Sequence, residues 1–157
     1  MAGEYLQFAV EMPVENYEQY KWLRDQIHAF NNAIFDDDFE TEDMIAQGIC
    51  PSLRKYLQEH SGEASEVQYE GRFDSTTDEK WVLLYSDTFG NPESAAKIIA
   101  AYQEMFDDEE RIQLTWAEWS DKMRPGAFGG GECIIQFGVI HYPDGALSAW
   151  RRNLGTT

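Results

Sequence analysis

Residues 116–139 read WAEWSDKMRPGAFGGGECIIQFGV. The flanks of this stretch, 112–119 and 133–140, are apolar and rich in β-formers. Between them lie Pro125, Gly126 and the run Gly129, Gly130 and Gly131. The pattern is strand, Gly-rich connection, strand. It predicts a sheet as the body of the molecule, and everything upstream can be read against that sheet.

Asn91-Pro92 has the form of a helix start, a capping side chain followed by proline at the first helical position. Ala95, Ile98, Ile99, Tyr102 and Phe106 then recur at helical spacing. Before it, WVLLY at 81–85 is continuously apolar and reads as a central strand buried on both faces. Val67, Tyr69, Gly71 and Phe73 alternate and pair with it as a hairpin across a polar turn at 74–79. Residues 5–11 read as a first strand, ended by Pro13. Asn16 caps a helix, with Gln19 three residues on as in a capping box. Tyr17, Tyr20, Leu23, Ile27, Phe30 and Ile34 give that helix one apolar face. Residues 44–60 suggest two short helices, one capped by Thr41 and one starting at Pro51, separated by Gly48. Downstream, Tyr142-Pro143-Asp144-Gly145 has the residues of a type I turn, with a last strand at 146–150. The order β-α-(α)-β-β-α-β-β-β predicts an α+β fold, a mostly antiparallel sheet with helices on one face. The strands 81–85 and 133–140 are expected to be central, with the helix 91–106 on the sheet.

A chain of 157 residues suits one domain, 1–157. Its 43% hydrophobic content argues against disorder. No stretch reaches the ~18 apolar residues of a membrane span, and MAGEYLQFAV has neither the basic start nor the long apolar core of a secretory signal. Cys50 and Cys133 are far apart in sequence, so reduced, unpaired thiols in a cytoplasmic protein are expected.

The formal charge is −17, and it is unevenly spread. Residues 1–110 hold 25 acidic against 7 basic residues, whereas 111–157 hold 4 against 5. The total is well beyond the ~2–8 units suited to the solubility of a small domain. Such a surface repels nucleic acid and anionic membranes and attracts basic protein surfaces. Two runs stand out. Asp36, Asp37, Asp38, Glu40, Glu42 and Asp43 form one. Asp107, Asp108, Glu109 and Glu110 form the other, at a helix C-terminus where the macrodipole disfavours them.

No motif specifies a catalytic or metal site, and no cofactor is expected. An EF-hand loop beginning at Asp36 would need glycine at its sixth position and glutamate at its twelfth; those positions hold Thr41 and Gln47. Gly129, Gly130 and Gly131, with Lys122 and Arg124 upstream, could cradle a phosphate. Yet they precede a strand rather than a helix and match neither phosphate-binding spacing, so a bulge or wide connection between strands is the expectation. Cys133 and His141, placed on one strand, would be ~26 Å apart and could not act together. Cys133 is expected to be a small buried hydrophobe.

The pattern W-A-x(4)-K-x-R-P-x-x-F-G-G-G runs from Trp116 to Gly131 through Lys122, Arg124, Pro125 and Phe128. It resembles a motif of short acidic proteins of bacteria, phages and plasmids. Trp22-Leu23-Arg24 and WVLLYSD at 81–87 are similar as well. The resemblance implies a shared structural feature at these residues and supplies no catalytic one. It also implies a setting in which acidic inhibitors of restriction or CRISPR machinery occupy grooves built for nucleic acid. The expectation is therefore an acidic, DNA-mimic-like interaction protein whose two acidic runs dock on a basic, nucleic-acid-binding partner. An immunity or antitoxin protein is one alternative. A small-molecule- or nucleotide-binding protein, or an enzyme, using the loop 121–131 is the other.

Overall fold

The computed structural model describes residues 4–35, 40–60, 62–87, 90–120 and 129–142. In chain order they form β1 (Glu4–Pro13), α1 (Tyr17–Phe35), α2 (Thr41–Ala46), α3 (Pro51–Glu59), β2 (Gln68–Phe73), β3 (Lys80–Ser86), α4 (Pro92–Phe106), β4 (Ile112–Ser120), β5 (Gly129–Gln136) and β6 (Val139–His141). This is the α+β order expected from sequence, with both short helices present. The six strands make one antiparallel sheet in the order β2-β3-β1-β4-β5-β6.

Alternation decides which face of the sheet the helices cover. Phe8, Val10 and Met12 of β1, Val82 and Leu84 of β3, Ile112, Leu114 and Trp116 of β4, and Cys133 and Ile135 of β5 are all buried. Their intervening neighbours are not. Helix α1 lays Leu23, Ile27 and Phe30 on this layer, each wholly buried, which stabilises the fold by roughly 1.5–3 kcal/mol per side chain. Tyr17, expected on that face, is 58% exposed and packs against Tyr20 and Phe73, with ring centroids 6.1 and 5.6 Å away. Asn16 caps α1 as expected: its Oδ1 accepts from Gln19 N at 2.9 Å, while Gln19 Oε1 accepts from Glu15 N at 2.8 Å. Asn91 caps α4 by accepting from Glu93 N at 2.8 Å.

Helices α1 and α4 run antiparallel. Trp22 meets Tyr102 and Phe106 at 6.3 and 5.5 Å between ring centroids. At the other end Phe30 stacks on Tyr56, whose hydroxyl lies 3.0 Å from Ser94 Oγ. Two amides of α1 tie down the connections beside it. Gln26 donates to Gly48 O and accepts from Cys50 N, and Asn31 donates to Val67 O and accepts from Val67 N.

Three expectations change. WVLLY is buried on one face only, because among the described residues no helix covers the other side of the sheet: Val82 and Leu84 are enclosed, whereas Leu83 and Tyr85 are half-buried and line a shallow, open basin with Gln7, Ala9 and Ala117. Residues 133–140 are two strands, since Phe137 and Gly138 both take positive φ, 56° and 74°, and reverse the chain. Thus 133–136 lies inside the sheet as expected, whereas β6 is its edge. Lastly, the triglycine run is the start of β5 rather than a bulge, with Gly129, Gly130 and Gly131 in regular register with Glu118, Ala117 and Trp116. The turn at 142–145 and the strand at 146–150 fall outside the described residues beyond Tyr142.

Candidate functional site

The acidic run at the end of α4 has a defined shape. Asp107 ends the helix in the left-handed region, φ 51°, a conformation that Asp tolerates better than most residues. Asp108 Oδ1 then accepts from Glu110 N at 3.0 Å. Gln103, 2% exposed, reaches out of the apolar stripe of α4 and holds the segment from below: its Nε2 donates to Glu110 O at 2.9 Å and to Ile135 O at 3.1 Å, and its Oε1 accepts from Gly138 N at 3.0 Å. Gln136 Nε2 adds a bond to Glu109 O at 3.2 Å. The acidic segment is therefore fixed both to α4 and to the β5–β6 hairpin.

Antiparallel packing brings Glu15, at the start of α1, to the same place. Glu15, Asp107, Asp108, Glu109 and Glu110 wall a cleft of about 420 Å³ whose floor is Pro13, Val14, Tyr102 and Phe106. Among the described residues, no Lys, Arg or His lines it. Burial, with a smaller contribution from Asp108, Glu15 and Glu110, pushes the Tyr102 hydroxyl far above the usual tyrosine range. A narrow acidic wall over an apolar floor suits a partner's Arg or Lys side chain, whose stem can lie on the rings while its head meets carboxylates.

The other acidic run is elsewhere. Asp36, Asp37 and Asp38 lie outside the described residues. Glu40 precedes α2, where Asp43 Oδ2 accepts from Glu40 N at 2.9 Å, and Glu42 is exposed in the first turn. Asp43 thus has a local capping role that its position in an acidic run concealed. Phe106 meets α1 at Trp22, whereas this run follows the end of α1 at Phe35. At ~1.5 Å per helical residue, Trp22, where Phe106 packs, lies about 20 Å along α1 from Phe35.

The alternative loop site is divided in the same way. Lys122 and Arg124 lie outside the described residues. Gly129, Gly130 and Gly131 sit within the β4–β5 ladder, and their small size answers a packing demand: a Cβ on Gly130 would meet Trp116 O at 2.5 Å, and one on Gly131 would meet the Trp116 ring at Cε2, 2.7 Å away. Trp116 and Gly131, the two ends of the W-A…F-G-G-G pattern, are therefore cross-strand partners. His141 is not remote from Cys133 as a single strand would make it, because the hairpin folds it back opposite Ile134. It still cannot assist Cys133, which points into the core from the other face. Burial first, then Glu93 and Glu132, pushes the Cys133 thiol up to about 12, so at neutral pH it is not a nucleophile.

A second cleft, about 580 Å³, opens between α3, α4 and β6. Lys55, His60 and Lys97 line it together with Glu59, Glu93 and Glu104, so it offers no single sign of charge to a phosphate. Among the described residues, no group of three or more His, Cys, Asp or Glu is placed to hold a metal ion, and no helix is long and apolar enough to cross a membrane. Comparison of the chain with protein-family models, with curated proteins and with solved structures finds no match in any of the three.

Sequence reasoning missed Glu15 and Gln103. Glu15 is unremarkable until α1 and α4 are packed. Gln103 does carry a signal, a long amide inside an apolar stripe, four residues after Ile99 and three before Phe106.

Proposed function

We propose that this protein is an acidic interaction module that docks on a basic, nucleic-acid-binding protein and blocks the groove in which that partner holds nucleic acid. The observation that carries the reading is the cleft walled by Glu15, Asp107, Asp108, Glu109 and Glu110, with no basic side chain among the described residues that line it. Carboxylates drawn together from α1 and α4 cost folding free energy through mutual repulsion, and a basic partner relieves that repulsion on binding. The formal charge of −17 supplies long-range steering towards the partner. Glu40, Glu42 and Asp43, at and after the start of α2, supply further carboxylates for the same partner. The resemblance to short acidic phage and plasmid proteins favours a host-defence complex as the partner and an anti-CRISPR or anti-restriction setting.

The test begins with affinity capture from a bacterial lysate at low salt and identification of the captured protein by mass spectrometry. Association with that purified partner is then measured as ionic strength rises. The rate should fall steeply as the Debye length shrinks from ~30 Å at 0.01 M to ~8 Å at 0.15 M. Replacing Glu15, Glu109 and Glu110 by Lys should abolish binding, and reversing Asp36, Asp37 and Asp38 should slow association while leaving the melting temperature unchanged or higher. Salt-independent binding that survives both reversals would refute the proposal and direct attention to the near-neutral residues 111–157.

A further inference from the structure

The β5–β6 hairpin turns on Phe137 and Gly138, both at positive φ. A two-residue turn of this kind is the preferred hairpin connection, and it strongly favours Asn, Asp or Gly at its first position. Phe is a poor choice there, because left-handed backbone presses Cβ against the following carbonyl oxygen. Burial of the ring does not offset that strain: Phe137 is 65% exposed, and Val139, just past the turn, is 64% exposed.

The tip is nevertheless fixed. Gly138 N donates to Gln103 Oε1, and Gln103 is itself enclosed. Gly138 lies so close to α4 that an added Cβ would meet Glu104 Cγ at 2.6 Å. Gln136, on the other side of the turn, is bonded to Glu109 O. A strained, exposed aromatic therefore sits on a turn whose flanking residues are held against Glu104 and the Glu109 backbone. Strain held where the surrounding structure over-determines it marks functional positions, and a rigidly presented aromatic costs little ordering entropy on binding.

We infer that Phe137 is the apolar anchor of the docking surface, filling an apolar pocket framed by basic side chains on the partner protein. The inference rests on the acidic-docking reading above, which supplies the charge of the occupant. A second copy of this chain is a poor occupant, because it would bring the same carboxylates against one another in a molecule of charge −17.

Two synthetic peptides of equal length and charge provide the probes, one alternating arginine with leucine and one alternating arginine with serine. Their affinities are measured by calorimetry for the wild type and for Phe137→Asn. The wild type should bind the arginine–leucine peptide about tenfold more tightly than the arginine–serine peptide, the scale of one well-buried aromatic contact. Phe137→Asn should bind the two alike. It should also melt about 2–4 °C higher than wild type, because Asn accepts the left-handed conformation. Discrimination that survives the substitution would overturn the inference. So would a melting temperature lowered by that amount, or a wild-type dimer in sedimentation that the substitution dissolves. The two readings fail separately: salt-sensitive binding of both peptides with no role for Phe137 removes the anchor and leaves acidic docking in place, whereas no binding of either peptide removes both.

Discussion

Removing the Gln103 side-chain amide tests the device that fixes the acidic segment and the hairpin tip to α4. Gln103→Leu keeps the side-chain volume approximately and deletes three hydrogen bonds at once, to Glu110 O, Ile135 O and Gly138 N. Glu110 is exposed, so water can replace its lost donor. The bond to Ile135 O is buried and that to Gly138 N is partly buried, so water replaces these less readily. With about 0.5–1.5 kcal/mol for each bond and more for a polar group left buried, the expected loss is about 2–4 kcal/mol. That is a large part of the ~5–15 kcal/mol by which a domain is usually stable. Urea unfolding followed by tryptophan fluorescence measures it, with the slope against urea unchanged so that the shift reads as stability alone. Amide exchange at Gly138 should accelerate beyond what global destabilisation explains. Gln103→Glu sharpens the test. As a carboxylate it loses both donor bonds, but once protonated it can donate one, so its deficit should shrink as pH falls through the carboxyl range. A loss below about 0.5 kcal/mol in Gln103→Leu, with exchange at Gly138 unchanged, would refute the clamp.

Cys133 should resist alkylation in the native state at pH 8, whereas Cys50, which is half-buried, should react; mass spectrometry after brief iodoacetamide treatment distinguishes them, and rapid labelling of Cys133 would contradict its burial. The same thiol makes the fold sensitive to alkali. Its pKa rises on folding from 9.0 to about 12, so the stability it contributes is complete below pH 9 and is lost as pH rises towards 12, on the order of 2 kcal/mol by pH 11. Urea midpoints measured across that window should fall less steeply in Cys133→Ala, with Tyr102 supplying the remaining slope in the same direction. Gly131→Ala should destabilise by about 1–3 kcal/mol, because its Cβ would displace the Trp116 ring that packs on the glycine; a neutral result by thermal unfolding would show that the ring moves aside freely.

Local chemistry was the legible part of this sequence. Asn16 and Asn91 cap the helices they precede, and the spacing of Leu23, Ile27 and Phe30 gave the buried face of α1, because caps and helical periods depend on residues within a turn of one another. Long-range pairing was not legible. WVLLY carries as much apolar character as a doubly covered strand, yet among the described residues no second helical layer covers Leu83 and Tyr85, which are half-exposed. The turn at Phe137 and Gly138 was hidden because Phe is the wrong residue for it, which makes the error itself informative: the local rule fails where the chain presents an exposed ring. The acidic cleft was half legible. The run from Asp107 to Glu110 was visible as charge, but Glu15 joins it only through the antiparallel packing of α1 on α4, and Asp43 turned out to serve α2 locally.

The place of β1 in the sheet has a consequence for how the chain is made. β1 lies at the middle of the sheet, and neither of its neighbours is close in sequence: Phe8 pairs with Ser86 and Tyr5 with Trp119. Roughly 110 residues must follow it out of the ribosome before its second edge is filled, on the order of 10 s at ~5–20 residues per second. During that interval a strand carrying Phe8, Val10 and Met12 has an unpaired backbone edge, the arrangement that invites pairing with other chains. Loop closure over such distances also slows the search for the native register. Yield of the intact fold should therefore respond to translation speed and temperature more strongly than equilibrium stability does, and a chaperone that shields apolar strands would act on β1 first.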